Sequence, residues 1–240
     1  MPANVYLLTH KCGNNFIIDL FNRKTKTDNY IELKPDFPKF NYANETFYNI
    51  RCRNFKRPHT EKLFDLLGKE GINYFVFTRH PASFFRSATT YHLRGNEKWC
   101  RQVKQPGFGD RTFYEALHDC KSFGEQLVAS MKLFGISNRL IENWVMNLNF
   151  LRDKNANVQQ VKCEDIWQNE SSLKEFHSGI THSGFLINFE QLLKASPVGI
   201  AKLKEHSTGE FKKNAFDGYD DFAKNFYDAY FKKYEFYLQY

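Results

Sequence analysis

Short apolar runs along this chain alternate with segments whose apolar residues recur at helical spacing. The first run, residues 5–9, predicts a buried strand, and a turn over residues 10–15 separates it from a predicted helix over residues 16–21. Further strands are predicted at residues 47–52, 74–78 and 158–163. Because strands and helices alternate, the pattern predicts an α/β fold with a central parallel sheet flanked by helices on both faces.

The segments between the strands are predicted to be mainly helical. One helix covers residues 60–67 with Thr60 as its N-cap, and another begins at Pro81. Residues 113–150 are predicted to be helical in several pieces, and residues 219–238 to form one long aromatic-rich helix.

The chain of 240 residues, 42% of them hydrophobic, suits a single domain over residues 1–240. Residues 24–46 are polar and contain prolines, which predicts a loop. No apolar run approaches the roughly 20 residues that span a bilayer, and the first residues lack the pattern of a signal peptide. Three segments are predicted to be irregular: residues 35–46, 94–112 and 204–214.

The formal net charge of +7 and the isoelectric point of about 9.0 favour anionic partners, namely nucleic acid, phosphorylated small molecules, acidic glycans or anionic lipid. The basic residues are scattered and form no tail, which argues against a nucleic-acid-binding arm. The five cysteines are odd in number and show no CxxC spacing, so neither a disulfide framework nor a zinc ribbon is indicated. We therefore expect a reduced, cytoplasmic setting.

A basic, glycine-containing turn follows the first predicted strand. It contains Lys11, Gly13, Asn14 and Asn15, at the strand end where open parallel sheets bind ligands. Gly13 lets the backbone approach an anion, Lys11 adds positive charge, and the following helix directs free N–H groups to the same place. The turn lacks the Walker A pattern GxxxxGK[ST]. A solvated turn with asparagine as a helix cap stays open as the alternative.

A second basic turn follows the strand at residues 74–78. Arg79 comes where this strand ends, Pro81 suits the first turn of a helix, and Ser87 lies one to two turns into that helix. The guanidinium fork of Arg79 and the hydroxyl of Ser87 predict a second anion site. The alternative is that Arg79 pairs with a carboxylate and Ser87 faces solvent.

Together the two turns resemble the signatures of the sulfotransferase superfamily that bind 3′-phosphoadenosine 5′-phosphosulfate (PAPS). THKCGNNF at residues 9–16 is similar to the first signature, T-x-K-x-G-[ST]-[ST]-[WF], and departs from it at the two asparagines. RHPASFFRS at residues 79–87 is similar to the second, R-[ND]-P with a serine eight residues after the arginine, with His80 in place of Asn or Asp.

Two later segments resemble the same family. VKCEDI at residues 161–166 is similar to its late strand ending in Y-E-D-L, and TGEFKKN at residues 208–214 is similar to its C-terminal G-x-W-K loop. That loop closes over the cofactor in the family, so the resemblance implies that the segment near residues 204–214 does so here. The cofactor contacts implied are Thr208, Gly209, Phe211, which replaces the tryptophan, and Lys212.

The resemblance implies a three-layer, P-loop NTPase-like fold and transfer of a sulfuryl group from PAPS to a hydroxyl or amine, with the bisphosphate PAP as product. It implies that Lys11 stabilises the departing phosphate oxygen and that Arg79 and Ser87 hold the 3′-phosphate. No metal is required by this chemistry. The 5′-phosphate would be held by backbone N–H groups and side chains of Lys11, Cys12, Gly13, Asn14, Asn15 and Phe16.

The general base is not assigned by the resemblance. Many members use a histidine or glutamate just beyond the strand that corresponds to residues 47–52. His59 is the first candidate here and Glu61 the second, and Glu45 and His92 are further options.

Three other functions stay open at this stage. They are a non-catalytic protein of the same fold that binds PAP or a glycan, a P-loop-like nucleotide kinase, and a nucleic-acid-binding protein. The acceptor, a glycan or a small molecule, would contact residues 35–46 and 94–112. Its identity and the oligomeric state stay open.

Overall fold

The described strands of this chain form one parallel sheet. The computed structural model describes residues 3–9, 11–18, 20, 30–36, 48–168, 170–181, 188–190, 192 and 214–240. Within these residues the strands are β1 (Ala3–Leu8), β2 (Tyr30–Leu33), β3 (Tyr48–Arg53), β4 (Ile72–Thr78) and β5 (Asn157–Lys162). Their order is β2-β3-β1-β4-β5, and every neighbouring pair is parallel. The parallel α/β sheet predicted from the sequence is confirmed.

The strand β2 lies inside the segment that the sequence predicts as loop, so that prediction is wrong for these residues. Among its described side chains only Leu33 is buried, while Glu32 is exposed. The strand forms because its backbone pairs with β3 at the edge of the sheet, from Tyr30 opposite Asn49 to Leu33 opposite Cys52. An edge strand this short has no apolar run by which it could be recognised.

The described helices include α1 (Asn14–Ile18), α2 (Arg57–Leu67), α3 (Pro81–Leu93), α4 (Lys98–Gln102), α5 (Phe113–His118), α6 (Phe123–Ser130), α7 (Leu140–Asp153), α8 (Cys163–Gln168), α9 (Glu170–Thr181), α10 (Asp221–Tyr230) and α11 (Lys232–Tyr237). The predicted cap at Thr60 is wrong, because α2 already begins after an extended Lys56 and Thr60 is buried inside it. The predicted long C-terminal helix is also wrong, because the backbone leaves helical geometry at Phe231.

The sheet carries a helical layer on each face. On one face, the rings of Phe75 and Phe77 lie 5.5 and 5.8 Å from the ring of Phe176 in α9. On the other face, the ring of Tyr74 lies 6.0 Å from that of Phe64 in α2. Because side chains alternate between the two faces along a strand, these contacts define three layers, as predicted from the sequence.

Two compact units can be distinguished by their internal contacts. The first comprises Met1–Arg79 with Asn143–His206 and contains the sheet, and the second comprises His80–Glu142 with Ser207–Tyr240. In the second unit, α4 and a 3-10 turn occupy part of the segment predicted to be irregular at residues 94–112. Across the described ranges, no helix has the length and apolarity to cross a membrane, and no group of three or more His, Cys, Asp or Glu side chains is arranged to hold a metal ion.

Asparagine side chains join neighbouring strands near the amino edge of the sheet. Asn4 in β1 lies opposite both Asn49 in β3 and Asn73 in β4, and Asn73 lies opposite Asn157 in β5. The Asn157 amide donates to Asn73 at 2.5 Å, that of Asn73 to Asn4 at 3.1 Å, and that of Asn4 to Asn49 at 3.4 Å. This asparagine ladder favours one strand register. If a strand slipped by one residue, its asparagine would face the opposite side of the sheet and its bonds in the ladder would be lost.

Candidate functional site

The connection from β1 to α1 is held in place at Thr9. The Thr9 hydroxyl oxygen accepts a hydrogen bond from the indole of Trp144 in α7 at 2.7 Å. Its carbonyl oxygen accepts from the Cys12 N–H at 3.1 Å and from the Asn14 side-chain amide at 2.6 Å. The segment predicted to bind a phosphate is therefore an ordered turn at the carboxyl edge of the sheet.

Lys11 and Gly13 both have left-handed backbone conformations, with φ of 59° and 72°. Glycine adopts this conformation without steric cost, whereas for an L-residue with a side chain the conformation costs about 1–2 kcal/mol of stability. A β-carbon on Gly13 would also lie 2.6 Å from Cδ1 of Phe77 in β4. Glycine is thus required here by the packing of the turn on the sheet, a reason that the sequence alone did not reveal.

Replacement of Gly13 by alanine tests this packing. We expect Gly13→Ala to lower the free energy of unfolding by about 3 kcal/mol, because it combines an unfavourable φ with a clash against a buried ring. Gly68 provides a control for backbone strain without a clash, since its φ is 74°, its ψ is −156° and nothing lies within 4 Å of an added β-carbon. Gly68→Ala should cost about 2 kcal/mol from its backbone conformation alone. Urea denaturation measures both losses, and a loss for Gly13→Ala no larger than that for Gly68→Ala would show that the Phe77 ring yields to the methyl group.

The other residues of the turn contribute to the fold as well as to the predicted site. The Cys12 N–H is already bonded to Thr9, and the Phe16 ring is buried 5.9 Å from that of Phe176. Asn14 uses its amide nitrogen within the turn, and its Oδ1 is buried without a hydrogen-bond partner. Asn15 lies in α1, and its side chain is outside the described atoms. Phosphate binding by these residues stays a prediction. The backbone donors that they leave for a phosphate are the first N–H groups of α1.

Arg79 follows β4 and contacts the turn after β1. Its Nη1 lies 3.5 Å from the carbonyl oxygen of Lys11, and its Nε lies 3.5 Å from Oε1 of Glu164 in α8. The Arg79 side chain is only 11% exposed, and its Nε has no hydrogen-bond acceptor. The structure thus brings Lys11 and Arg79 together at one edge of the sheet. A buried donor without an acceptor is uncommon in folded proteins and favours a ligand at this position.

Glu164 is a residue of this site to which the sequence assigned no role. It is the second residue of α8 and lies two positions after the end of β5. Its position in the sequence could have identified it, because an acid at the carboxyl end of a predicted parallel strand lies at the same sheet edge as Arg79. At 3.5 Å the two side chains are farther apart than a hydrogen-bonded ion pair, so an anion can compete for the guanidinium.

The rest of the second signature lies in the second unit. Ser87 is on α3 and is 5% exposed. His80 is the N-cap of α3, and its Nδ1 accepts a hydrogen bond from the Ala82 N–H at 3.2 Å, the role that Asn or Asp performs in most caps. Burial lowers the pKa of His80, which favours the neutral ring that this bond requires. The binding of one phosphate by Ser87 and Arg79 stays a prediction. The predicted contacts Thr208, Gly209, Phe211 and Lys212 lie outside the described residues.

The two candidate bases both have partners at the start of α2. His59 accepts a hydrogen bond at Nδ1 from the Lys56 N–H at 3.1 Å, so the neutral ring carries its proton on Nε2. Burial and the nearby lysines lower the pKa of His59. Glu61 forms an ion pair with Arg57 at 2.7 Å. Either side chain would have to leave these partners to accept a proton from a substrate, and the identity of the base stays a prediction.

A basic residue lies at or just after the carboxyl end of each described strand. Neighbouring strands are about 4.8 Å apart, so the row extends for about 19 Å. A row of cations along one edge raises the local concentration of anions. In sheet order, its members are Lys34, Arg53, Lys11, Arg79 and Lys162.

Comparison with known proteins supports this description of the fold. No protein-family model matches the sequence, and no curated protein matches it. The structure is similar to the crystal structure of mouse sulfotransferase SULT7A1 complexed with PAP, with a TM-score of 0.58 and 11% sequence identity over 97% of this chain and 84% of that chain. The chain therefore has the sulfotransferase fold, and the fold predicted from the sequence is confirmed.

Proposed function

We propose that this protein is a PAPS-dependent sulfotransferase that acts on a hydroxyl or amine of a glycan or small molecule. The main support is the 3.5 Å approach of the Arg79 guanidinium to the carbonyl of Lys11, in a chain with the sulfotransferase fold. Both residues belong to segments that resemble the donor-binding signatures. A bisphosphate nucleotide needs two anion sites on one surface, and these two turns provide candidates for both.

The described residues fit a bisphosphate nucleotide. The buried Arg79 Nε lacks a hydrogen-bond acceptor, and a 3′-phosphate would supply one. The first N–H groups of α1, beyond Gly13, would hold the 5′-phosphate, because these groups have no acceptor within the helix. The absence of a side chain at Gly13 keeps the turn against β4, since a β-carbon there would meet Phe77.

PAPS supplies a sulfuryl group bonded to its 5′-phosphate. In the proposed reaction, the bond from sulfur to the acceptor oxygen or nitrogen forms as the bond to the phosphate oxygen breaks, and the acceptor proton passes to a base. Lys11 would stabilise the negative charge that develops on the departing phosphate oxygen, and Arg79 and Ser87 would hold the 3′-phosphate. Most of the rate enhancement would then come from positioning and fixed charge.

A non-catalytic PAP-binding protein of the same fold is the second candidate. It is favoured by one observation, namely that His59 and Glu61 both have partners at the start of α2. It predicts the same nucleotide preference as the enzyme but no transfer.

Calorimetric titration with PAP, 5′-AMP and ATP tests the proposal. We expect PAP to bind at least about tenfold more tightly than 5′-AMP and ATP, because its 3′-phosphate gains charge-assisted hydrogen bonds from Arg79. Tighter binding of ATP would instead support a nucleotide kinase and contradict the proposal. Incubation with sulfur-labelled PAPS and a panel of acceptors then separates the enzyme, which transfers label, from the non-catalytic binder, which does not.

A further inference from the structure

Two cations of the sheet edge belong to strands outside the donor signatures. Lys34 follows β2 and Arg53 ends β3. Because Leu33 lies opposite Cys52 in the parallel register, Lys34 and Arg53 are neighbours on adjacent strands. Both strands lie on the side of β1 away from β4. The positive edge therefore continues for two strands past the turn that contains Lys11.

Neither of these cations has an acidic partner among the described side chains. In the part of the chain that the structure describes, no salt bridge joins Lys34 or Arg53 to an acid, whereas Arg51 pairs with Glu32 at 2.8 Å. The carboxylate nearest to Lys34 along β2 is thus already matched by a buried guanidinium. Lys34 and Arg53 can therefore attract an anionic ligand.

Both cations line a cavity of about 330 Å³ at the ends of β2 and β3. This volume accommodates one sugar ring and lies at the lower end of the range for ligand sites. The Asn54 N–H donates to the carbonyl of Leu8 at 2.7 Å, so one wall is bonded to the strand that leads to the Lys11 turn. The residues that line the cavity are Glu32, Lys34, Pro35, Asp36, Arg53 and Asn54.

We propose that this cavity binds an anionic group of the acceptor, so that the substrates are hydroxylated compounds that already carry a carboxylate or sulfate, such as acidic sugars. Lys34 and Arg53 supply the attraction, and Asp36 is the only lining acid whose charge is not matched within the described residues. The described lining residues, taken together with Arg51, therefore carry a net positive charge. The inference rests on the proposed function for the role of the neighbouring turn, while the charge of the cavity is independent of it.

A matched pair of probes tests this assignment. Phenyl β-D-glucuronide and phenyl β-D-glucoside differ only in a carboxylate that replaces a hydroxymethyl group, and their binding is measured by calorimetry with and without PAP. We expect the glucuronide to bind about fivefold more tightly, because exposed charge pairs each contribute modestly. The variant Lys34→Gln/Arg53→Gln should lose this preference and keep the affinity for PAP. Asp36→Asn should increase the preference.

The control is Lys69→Gln/Arg152→Gln, which removes the same charge from exposed residues outside the cavity and should keep the preference. The assignment is overturned if the wild-type protein shows no preference, or if Lys34→Gln/Arg53→Gln retains it with unchanged PAP affinity. If PAP does not bind but the preference depends on Lys34 and Arg53, the proposed function fails and the cavity assignment stands.

Discussion

Replacement of Lys11 by alanine is expected to reduce sulfuryl transfer by about 1,000-fold, while PAP affinity falls by no more than about tenfold. The difference arises because a fixed cation near the departing oxygen is most effective when negative charge develops there, and contributes less to binding of the product. The turn keeps its other anchors in this variant, since Thr9 is bonded to Trp144 and Cys12. Single-turnover transfer of labelled sulfur from PAPS to an acceptor measures the first quantity and calorimetry the second.

Lys69→Ala is the control for the loss of a lysine, because Lys69 is exposed in the turn that precedes β4. It should leave both quantities unchanged. Near-normal transfer by Lys11→Ala would remove Lys11 from the reaction. A parallel loss of transfer and PAP affinity would instead give Lys11 a binding role alone.

Arg79→Gln is expected to reduce the affinity for PAP by about 100-fold and to affect 5′-AMP much less. The reason is that a buried guanidinium can donate two parallel hydrogen bonds to one phosphate, and an amide cannot. Because Arg79 also contacts the Lys11 carbonyl, some loss for both nucleotides is expected, and the ratio of the two affinities is the informative measurement. Calorimetric titration of each nucleotide provides it.

Arg79→Lys separates charge from geometry, because lysine keeps the charge but not the fork, and it should recover only part of the affinity. Arg152→Gln, at an exposed position of α7, is the control for the loss of an arginine. If PAP and 5′-AMP lose affinity equally in Arg79→Gln, Arg79 supports the turn and does not recognise the 3′-phosphate.

The central strands of the fold could be predicted because their burial appears directly in the sequence. Every residue of β1 is buried, and β4 is nearly so, as expected of strands covered by helices on both faces. The edge strand β2 could not be predicted, because its pairing with β3 is a backbone interaction and leaves little hydrophobic pattern. The break between α10 and α11 at Phe231 could not be predicted either, because aromatic and apolar residues continue on both sides of it.

The candidate site could be predicted only as far as its residues lie next to strand ends. Lys11 and Arg79 were identified in this way, but their contact depends on β1 and β4 being adjacent, which chain order does not reveal. Glu164 and Trp144 contact the site from segments far away along the chain. The hydrogen bond of His59 could have been predicted from the sequence around it. His59 is the third residue of α2, and a side chain at this position commonly accepts a hydrogen bond from the backbone N–H of the N-cap residue.

The asparagine ladder has a consequence at the opposite end of the sheet. Thr9, directly after β1, lies five positions beyond Asn4, and Thr78, at the end of β4, lies five positions beyond Asn73. A strand rises about 3.3 Å per residue, so both connections begin about 17 Å above the same pair of amides. The two turns that would hold the nucleotide are therefore level with each other. A single insertion in either strand would raise one of them by the length of a peptide unit and separate the two phosphate sites.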